Sequence, residues 1–99
     1  MNTETVTMVR IYLDEKQLNQ VLNLLHDEEK VRGVTVFRGI SGFGKSGRYH
    51  AATLLDLGSH LPVVVEFFDK PEKVKTILQH LQNILEPGHI VHWQAAVTI

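Results

Sequence analysis

Two stretches of this chain, residues 6–13 (VTMVRIYL) and 61–68 (LPVVVEFF), are apolar at successive positions, and each runs straight into a helix-start signal. Alternate residues of a strand point to opposite faces, so runs of this kind bury side chains on both sides of a sheet. After the first run, Asp14 is placed to cap a helix and Gln17, three residues on, to close a capping box. Leu18, Val21, Leu22 and Leu25 then recur at helical spacing, which predicts an amphipathic helix to about residue 30. After the second run, Asp69 reads as the N-cap, Glu72 as its capping-box partner and Pro71 as a first-turn residue. Val74, Ile77, Leu78, Leu81, Ile84 and Leu85 form the apolar stripe of this second helix, and Glu86-Pro87-Gly88 ends it.

Each strand–helix pair is completed by a further strand. Residues 34–40 (VTVFRGI) follow the first helix, and residues 89–99 follow the second with Val91, Trp93, Ala95, Val97 and Ile99 on one face. Residues 48–57 (RYHAATLLDL) alternate as a strand more consistently than they repeat as a helix, and Gly58-Ser59-His60 is a turn. The order is β-α-β, a hairpin extension, then β-α-β. This is an α+β, ferredoxin-like split βαβ fold, with an antiparallel sheet and two helices on one face. Ninety-nine residues make a single domain, 1–99. A two-layer domain covers one face of its sheet, so the apolar second face calls for another subunit, and an oligomer is expected. Arg10 and Glu66 interrupt the two apolar runs and are expected to pair across neighbouring strands.

Composition narrows the function. With no cysteine, disulfides and thiolate metal sites are excluded. No run is long and apolar enough to span a bilayer and no signal-peptide pattern opens the chain, so the expected place is the cytoplasm. A net charge of −1 and the lack of a basic-aromatic RNP pattern argue against a nucleic-acid partner. Charge is unevenly spread, however. From Lys30 to Leu55 there are five cations and no carboxylate, while the other five cations share the remaining residues with all eleven acids. Within that segment lies Arg38-Gly39-Ile40-Ser41-Gly42-Phe43-Gly44-Lys45-Ser46-Gly47-Arg48, with four glycines and three cations. Glycines let backbone N–H groups converge, and beside Arg and Lys such groups suit an anion, most often a phosphate.

Two phosphate-binding patterns match this stretch and fail on context. Gly39-x4-Gly44-Lys45-Ser46 fits a P-loop, yet the residues that should open its helix include Gly47 and a strand-like segment, and no Walker B partner is available. Gly42-x-Gly44-x-x-Gly47 fits a dinucleotide fingerprint and lacks an acidic residue about twenty positions on. A mobile hairpin loop with no ligand is the bland alternative. The six histidines show no metal-ligand spacing, His89 and His92 pointing to opposite faces of a strand. Ser41 and Ser46 have no visible Ser–His–acid pattern, so no catalytic residue is assigned and a binding protein is expected rather than an enzyme.

R-I-Y-L at 10–13, T-V-F-R-G-I-S-G-F-G at 35–44, S-G-R-Y-H at 46–50 and L-P-V-V-V-E at 61–66 resemble a small bacterial and archaeal family of PII-like proteins, long catalogued as a domain of unknown function. The resemblance covers nearly the whole chain. It implies a ferredoxin-like homotrimer similar to the nitrogen-regulatory PII proteins, with an adenine nucleotide bound in clefts between subunits and a T-loop between the second and third strands carrying the signal. It also implies a protein partner, such as a membrane transporter or channel, since some members are similar to accessory proteins of fluoride channels. Carried over residue by residue, the nucleotide-binding positions are Arg38, Gly39, Gly42, Gly44, Lys45, Ser46 and Arg48 from the first loop, with Gly88 and His89 from a second loop before the last strand. That second loop, Glu86-Pro87-Gly88-His89, has less glycine and lysine than the phosphate loop of PII proteins, and the first is shorter than their T-loop. These departures point to AMP or ADP rather than ATP with 2-oxoglutarate. A metal-responsive trimer resembling CutA, using His50, His60, His89 and His92, is the alternative.

Overall fold

The computed structural model of the chain describes residues 1–43, 50–51 and 62–99. Its elements in chain order are β1 (Thr3–Leu13), α1 (Glu15–Asn23), a π-type turn (Leu24–Glu28), β2 (Val34–Arg38), β3 (Ser41–Gly42), β4 (His50–Ala51), β5 (Val63–Asp69), α2 (Pro71–Leu81) and β6 (Ile90–Thr98). β2, β5, β1 and β6 form a four-stranded sheet in that spatial order, every neighbouring pair antiparallel. This is the ferredoxin-like arrangement expected from the two β-α-β units. β3 and β4 pair as a separate two-stranded ribbon, Ser41 opposite Ala51. Of the strand expected over 48–57, His50 and Ala51 are thus strand; the rest of it and the turn at 58–60 lie outside the described residues.

The core forms between one sheet face and the helices. Val9, Ile11 and Leu13 of β1 and Val63, Val65 and Phe67 of β5 alternate onto that face and meet Leu18 and Val21 of α1, Leu25 of the π-type turn, Val74, Ile77 and Leu81 of α2, and Leu85 from the turn after α2, which ends short of the Glu86-Pro87-Gly88 stop expected for it. All of these are buried. Burying each large aliphatic side chain contributes about 1.5–3 kcal/mol, so this layer dominates the stability of the protomer.

The first helix starts as its sequence requires. The Asp14 carboxylate accepts from the Gln17 N–H, and the Gln17 side-chain oxygen accepts from the Asp14 N–H. It closes through the π-type turn, with Glu29 N–H donating to the Leu24 carbonyl at 2.9 Å and Val31 N–H to the Leu25 carbonyl at 3.1 Å. Lys30 takes a left-handed conformation (φ 52°) at this exit, and its carbonyl accepts from Lys73 Nζ of α2.

The second helix starts differently from expectation. Lys70, not Asp69, is the N-cap, and no side chain caps the helix. Pro71 occupies the first turn, whereas Asp69 is still paired in β5 opposite Thr7. The next step of the β5 alternation turns the Asp69 side chain inward, leaving it only 3% exposed. There Oδ1 accepts from the Lys70 N–H at 2.8 Å and lies 3.6 Å from Arg32 Nε. Lys73 Nζ sits 3.2 Å from Oδ2, close enough for an ion pair, although Oδ2 has no well-aligned hydrogen bond. Burial is the largest influence on this carboxyl and pushes its pKa up. The Lys70 hydrogen bond, Lys73 and Arg32 together outweigh burial and hold it below the ordinary value.

Where β2 ends, Gly39 N–H donates to the Pro62 carbonyl at 2.8 Å. A Cβ at Gly39 would lie 2.6 Å from the Pro62 ring carbon Cγ, so the two strands can approach here only because residue 39 has no side chain. Gly33, just before β2, has no atom within 4 Å of a would-be Cβ.

These contacts make two variants informative. Gly39→Ala should lower stability in urea by about 1–3 kcal/mol through overpacking, while Gly33→Ala should change it by no more than about 0.5 kcal/mol; equal effects would contradict the account of Gly39. A depressed carboxyl pKa stabilises the fold above the unfolded value of about 3.9 and loses that contribution as pH falls through the folded value, because the unfolded chain takes the proton first. Asp69→Asn should therefore be less stable than the parent at pH 6, and the gap should narrow below about pH 4, read from urea midpoints at one protein concentration. A gap that stays constant to pH 3 would show that Asp69 is not held ionised by its neighbours.

Candidate functional site

Two loops that the sequence marks for anion binding leave the sheet at one end. Arg38 pairs with Val63, Val63 with Leu13, and Tyr12 with His89, so the end of β2, the start of β5, the end of β1 and the start of β6 lie side by side. β2 and β6, however, are the opposite edges of the sheet. Three strand spacings separate them, about 14 Å. Within one protomer, Arg38 and Gly39 therefore do not meet Gly88 and His89.

Arg38 and Gly39 are occupied in ways the sequence does not reveal. The Arg38 guanidinium pairs with Glu15 in the first turn of α1, and this hydrogen bond, reinforced by charge, holds it firmly in the charged form. Gly39 is required by its close approach to Pro62. Ser41 and Gly42 continue as β3. Gly44, Lys45, Ser46 and Arg48 lie outside the described residues.

The expected excess of positive charge is also reduced in space. Arg32 reaches Glu4 at 3.1 Å and the buried Asp69, and lies over the Phe68 ring at 5.3 Å from its centroid. Of the described arginines in the cationic segment, both Arg32 and Arg38 therefore already face carboxylates brought from distant parts of the sequence. A run of cations along the chain is not an equal patch on the surface, and of the cations assigned to the first loop this leaves Lys45 and Arg48.

On the other edge, Gly88 has φ +96°, the left-handed region that side chains rarely tolerate, and no atom lies within 4 Å of a would-be Cβ. Its glycine is thus required by the turn and not by packing. His89 Nδ1 lies 2.7 Å from the Tyr12 carbonyl. That carbonyl can only accept, so Nδ1 carries the proton, and a neutral ring presents Nε2 as an acceptor. Beside this loop a groove of about 370 Å³ runs between the end of α2 and β6, its apolar floor including Leu78, Leu85 and Ile90 and its polar rim Gln82, Glu86 and His92.

The sheet face away from the helices is the second conspicuous surface. Tyr12, Phe37, Val91 and Trp93 are 45%, 51%, 48% and 38% exposed on it, a breadth of aromatic and aliphatic surface that a lone protomer leaves to water. At its centre Arg10 and Glu66, opposite each other in register, pair as expected, with Nη2 2.7 Å and Nε 2.9 Å from Oε2. The Glu66 hydrogen bond, with a contribution from Tyr12, keeps Arg10 charged. Trp93 lies beneath the guanidinium, 5.2 Å from Cζ to the ring centroid. This cation–π contact was not anticipated from sequence, although Trp93 two positions from Val91 on the same face was a usable signal.

Among the described residues no group of three or more His, Asp or Glu side chains is placed to hold a metal ion. None of their helices is long and apolar enough to cross a membrane.

Comparison with known proteins places this geometry. A UPF0166 protein of Aquifex aeolicus (strain VF5) is 37% identical over 84 residues, covering 84% of this chain and 86% of that protein. Another match to a UPF0166 protein of the same organism is 44% identical over 56 residues, 57% of this chain, and there the chain spans only about half (53%) of the relative's length. Among solved structures, CPII from Thiomonas intermedia K12 bound to ADP and bicarbonate superposes with a TM-score of 0.73 at 19% identity, over 99% of this chain and 91% of that one. A PII-like signaling protein from Thermus thermophilus gives 0.68 at 16% identity, over 100% of this chain and 93% of that one. The divalent ion tolerance protein CutA1 from Ehrlichia chaffeensis gives 0.62 at 9%, over 95% and 82%. At these identities the structural likeness establishes the fold, which is that of PII-like and CutA proteins. The DUF190 family model, described as an uncharacterized ACR, matches residues 6–97, nearly the full span of the sheet and helices, and the chain is therefore a member of the DUF190 family.

Proposed function

We propose that this protein is a non-enzymatic, PII-like regulator that binds an adenine nucleotide, AMP or ADP, in clefts between the subunits of a homotrimer. The observation that carries the reading is the placement of the two glycine loops at the same end of the sheet but on opposite edges. Such halves complete one another only when two copies stand side by side. The unshielded apolar face, with the Arg10–Glu66 pair at its centre, supports assembly of this kind, since burial against other copies removes it from water. CPII, which shares the fold, has been solved with ADP and with ADP and AMP together.

The chemistry of the halves suits a nucleotide with a short phosphate chain. Lys45, Ser46 and Arg48 supply cations and a hydroxyl from the first loop, with Gly42 and Gly44 lending backbone donors. The Gly88 turn and His89 Nε2 supply the second half, which has no cation of its own between Glu86 and His89. A triphosphate would meet fewer counter-charges than it carries, so AMP and ADP fit better. Occupancy would order the first loop, and a loop ordered by its ligand is a means of signalling to a protein partner, here a membrane transporter or channel reached from the cytoplasm. The metal-responsive reading draws on the likeness to CutA1 and has no ligand cluster behind it among the described residues.

Calorimetric titration of the purified protein with AMP, ADP, ATP and cyclic AMP is the test. AMP or ADP should bind tightest, at one nucleotide per protomer. The double substitution Lys45→Ala with Arg48→Ala should weaken binding about 10- to 100-fold, the worth of one or two charge-assisted hydrogen bonds, with the thermal unfolding midpoint of the free protein unchanged. No heat with any nucleotide from a folded oligomer would refute the reading.

A further inference from the structure

The two described arginines of the cationic segment both meet carboxylates, but the pairings differ in kind. Arg32 has three partners at the end of the sheet remote from the glycine loops: Glu4 at 3.1 Å, the buried Asp69 at 3.6 Å and the Phe68 ring at 5.3 Å. Moving it would take a cation away from a carboxylate already removed from water, which is costly. Arg38 is the last residue of β2, at the loop end, and its Nη1 donates to Oε2 of Glu15. Both of these side chains reach water, the arginine 50% exposed and the glutamate 30%. An ion pair so exposed adds little to stability. Of the two arginines, Arg38 is therefore the one that can change partner without disturbing the fold.

The backbone on both sides of this pair is fixed. Arg38 is in register with Val63, and the next residue, Gly39, donates to the Pro62 carbonyl at 2.8 Å. Glu15 opens α1 directly after Asp14, whose reciprocal capping bonds with Gln17 measure 3.1 and 3.3 Å. Only two flexible side-chain stems are left to move, and exposed side chains change rotamer in picoseconds to nanoseconds. Each partner also has an alternative. Unpaired N–H groups and the helix dipole favour a carboxylate in the first turn of a helix, so Glu15 does not depend on Arg38. A guanidinium at the base of a glycine loop suits a phosphate, whose larger charge and several acceptor oxygens match its planar fork better than one carboxylate oxygen does.

We infer that Glu15 is the resident anion of the empty site: it holds Arg38 until a ligand phosphate takes its place, and so sets the affinity and the anion selectivity of the first loop. The inference rests on the nucleotide reading for its ligand and on the Arg38–Glu15 pair for its mechanism. The exchange is a change of side-chain partner and breaks no ladder or capping bond. It has two consequences. A singly charged carboxylate ligand meets an equal competitor and gains nothing by displacing Glu15, whereas a phosphate monoester with a charge of about −1.5 to −2 does gain, so the pair selects phosphoryl ligands. Occupancy is also passed from the base of the loop to the start of α1, an element that belongs to neither glycine loop.

A double-mutant cycle read by calorimetry with ADP tests it, using the parent, Glu15→Gln, Arg38→Gln and the two together. Glu15→Gln should bind ADP about 2- to 5-fold more tightly, the worth of an exposed ion pair that no longer has to be given up. Arg38→Gln should bind about 10-fold more weakly. In the Arg38→Gln background, Glu15→Gln should lose most of its gain. An unchanged or weaker affinity for folded Glu15→Gln would overturn the inference, as would an Arg38→Gln that binds like the parent. A gain of equal size without Arg38 would also overturn it, since Glu15 would then repel the ligand through space and not compete for the cation. Carboxyl-carbon NMR of the unaltered protein gives a readout that needs no variant. On saturation with ADP the Glu15 signal should shift while that of Glu4, paired with Arg32, stays in place; an unmoved Glu15 signal would overturn the exchange. A parent that binds no nucleotide removes the reading of the site and this exchange with it, whereas a parent that binds ADP and fails the cycle loses the exchange alone.

Discussion

A sheet has two faces, and this chain has helices for only one of them. Val9, Ile11 and Leu13 with Val63, Val65 and Phe67 are buried beneath α1 and α2. Tyr12, Phe37, Val91 and Trp93, from the same sheet, are left on the other side. Hydrophobic burial is the main favourable term in folding, and here part of what the sheet could contribute is not realised within a protomer. The rest of the structure can be read from that imbalance. The Arg10–Glu66 pair sits where charge would be costly if desolvated alone, and each partner satisfies the other while Trp93 covers the guanidinium. A paired charge on an apolar face adds little net stability but penalises misaligned contacts, which favours one packing arrangement over others.

The same topology divides the candidate site. Ferredoxin-like order places β2 and β6 at opposite edges, so loops that follow β2 and precede β6 share an end of the sheet without sharing a cleft. What the protomer separates, a neighbouring copy can restore. On the proposed reading, a site divided in this way would report on assembly as well as on ligand. Binding across two copies would also couple the clefts, because each subunit would contribute to two of them.

Much of the fold was legible in the sequence because its signals are local. The Asp14–Gln17 capping box, the stripe from Val74 to Leu81 and the alternation through Trp93 depend on spacing alone, and each is found where spacing puts it, although α2 ends at Leu81 and the Ile84 and Leu85 of the expected stripe follow in a turn. Arg10 and Glu66 were legible as a pair since each is the one charge in its apolar run, 6–13 and 61–68. Asp69 was misread for a physical reason. A helix-start pattern and the last residue of an alternating strand overlap there, and tertiary packing chose the strand, turning the carboxylate inward to Arg32 and Lys73. The candidate site was legible only in part. Spacing showed glycines and cations together, but not that Pro62 would press on Gly39 or that Glu15 and Glu4 would reach Arg38 and Arg32. Which acids meet a run of cations is decided by long-range contacts, to which a local pattern is blind.

The central claim is that one nucleotide is held by two copies, and subunit mixing tests it most directly. One variant would lose the first half (Lys45→Ala with Arg48→Ala) and the other the second (Gly88→Val with His89→Ala), each assembling but leaving its clefts largely empty at an AMP concentration that just fills those of the parent. Refolded together in equal amounts, they should recover binding at about a quarter of the clefts, as random placement around a closed ring requires. A mixture that assembles and still binds nothing would mean that each site is contained within a single chain.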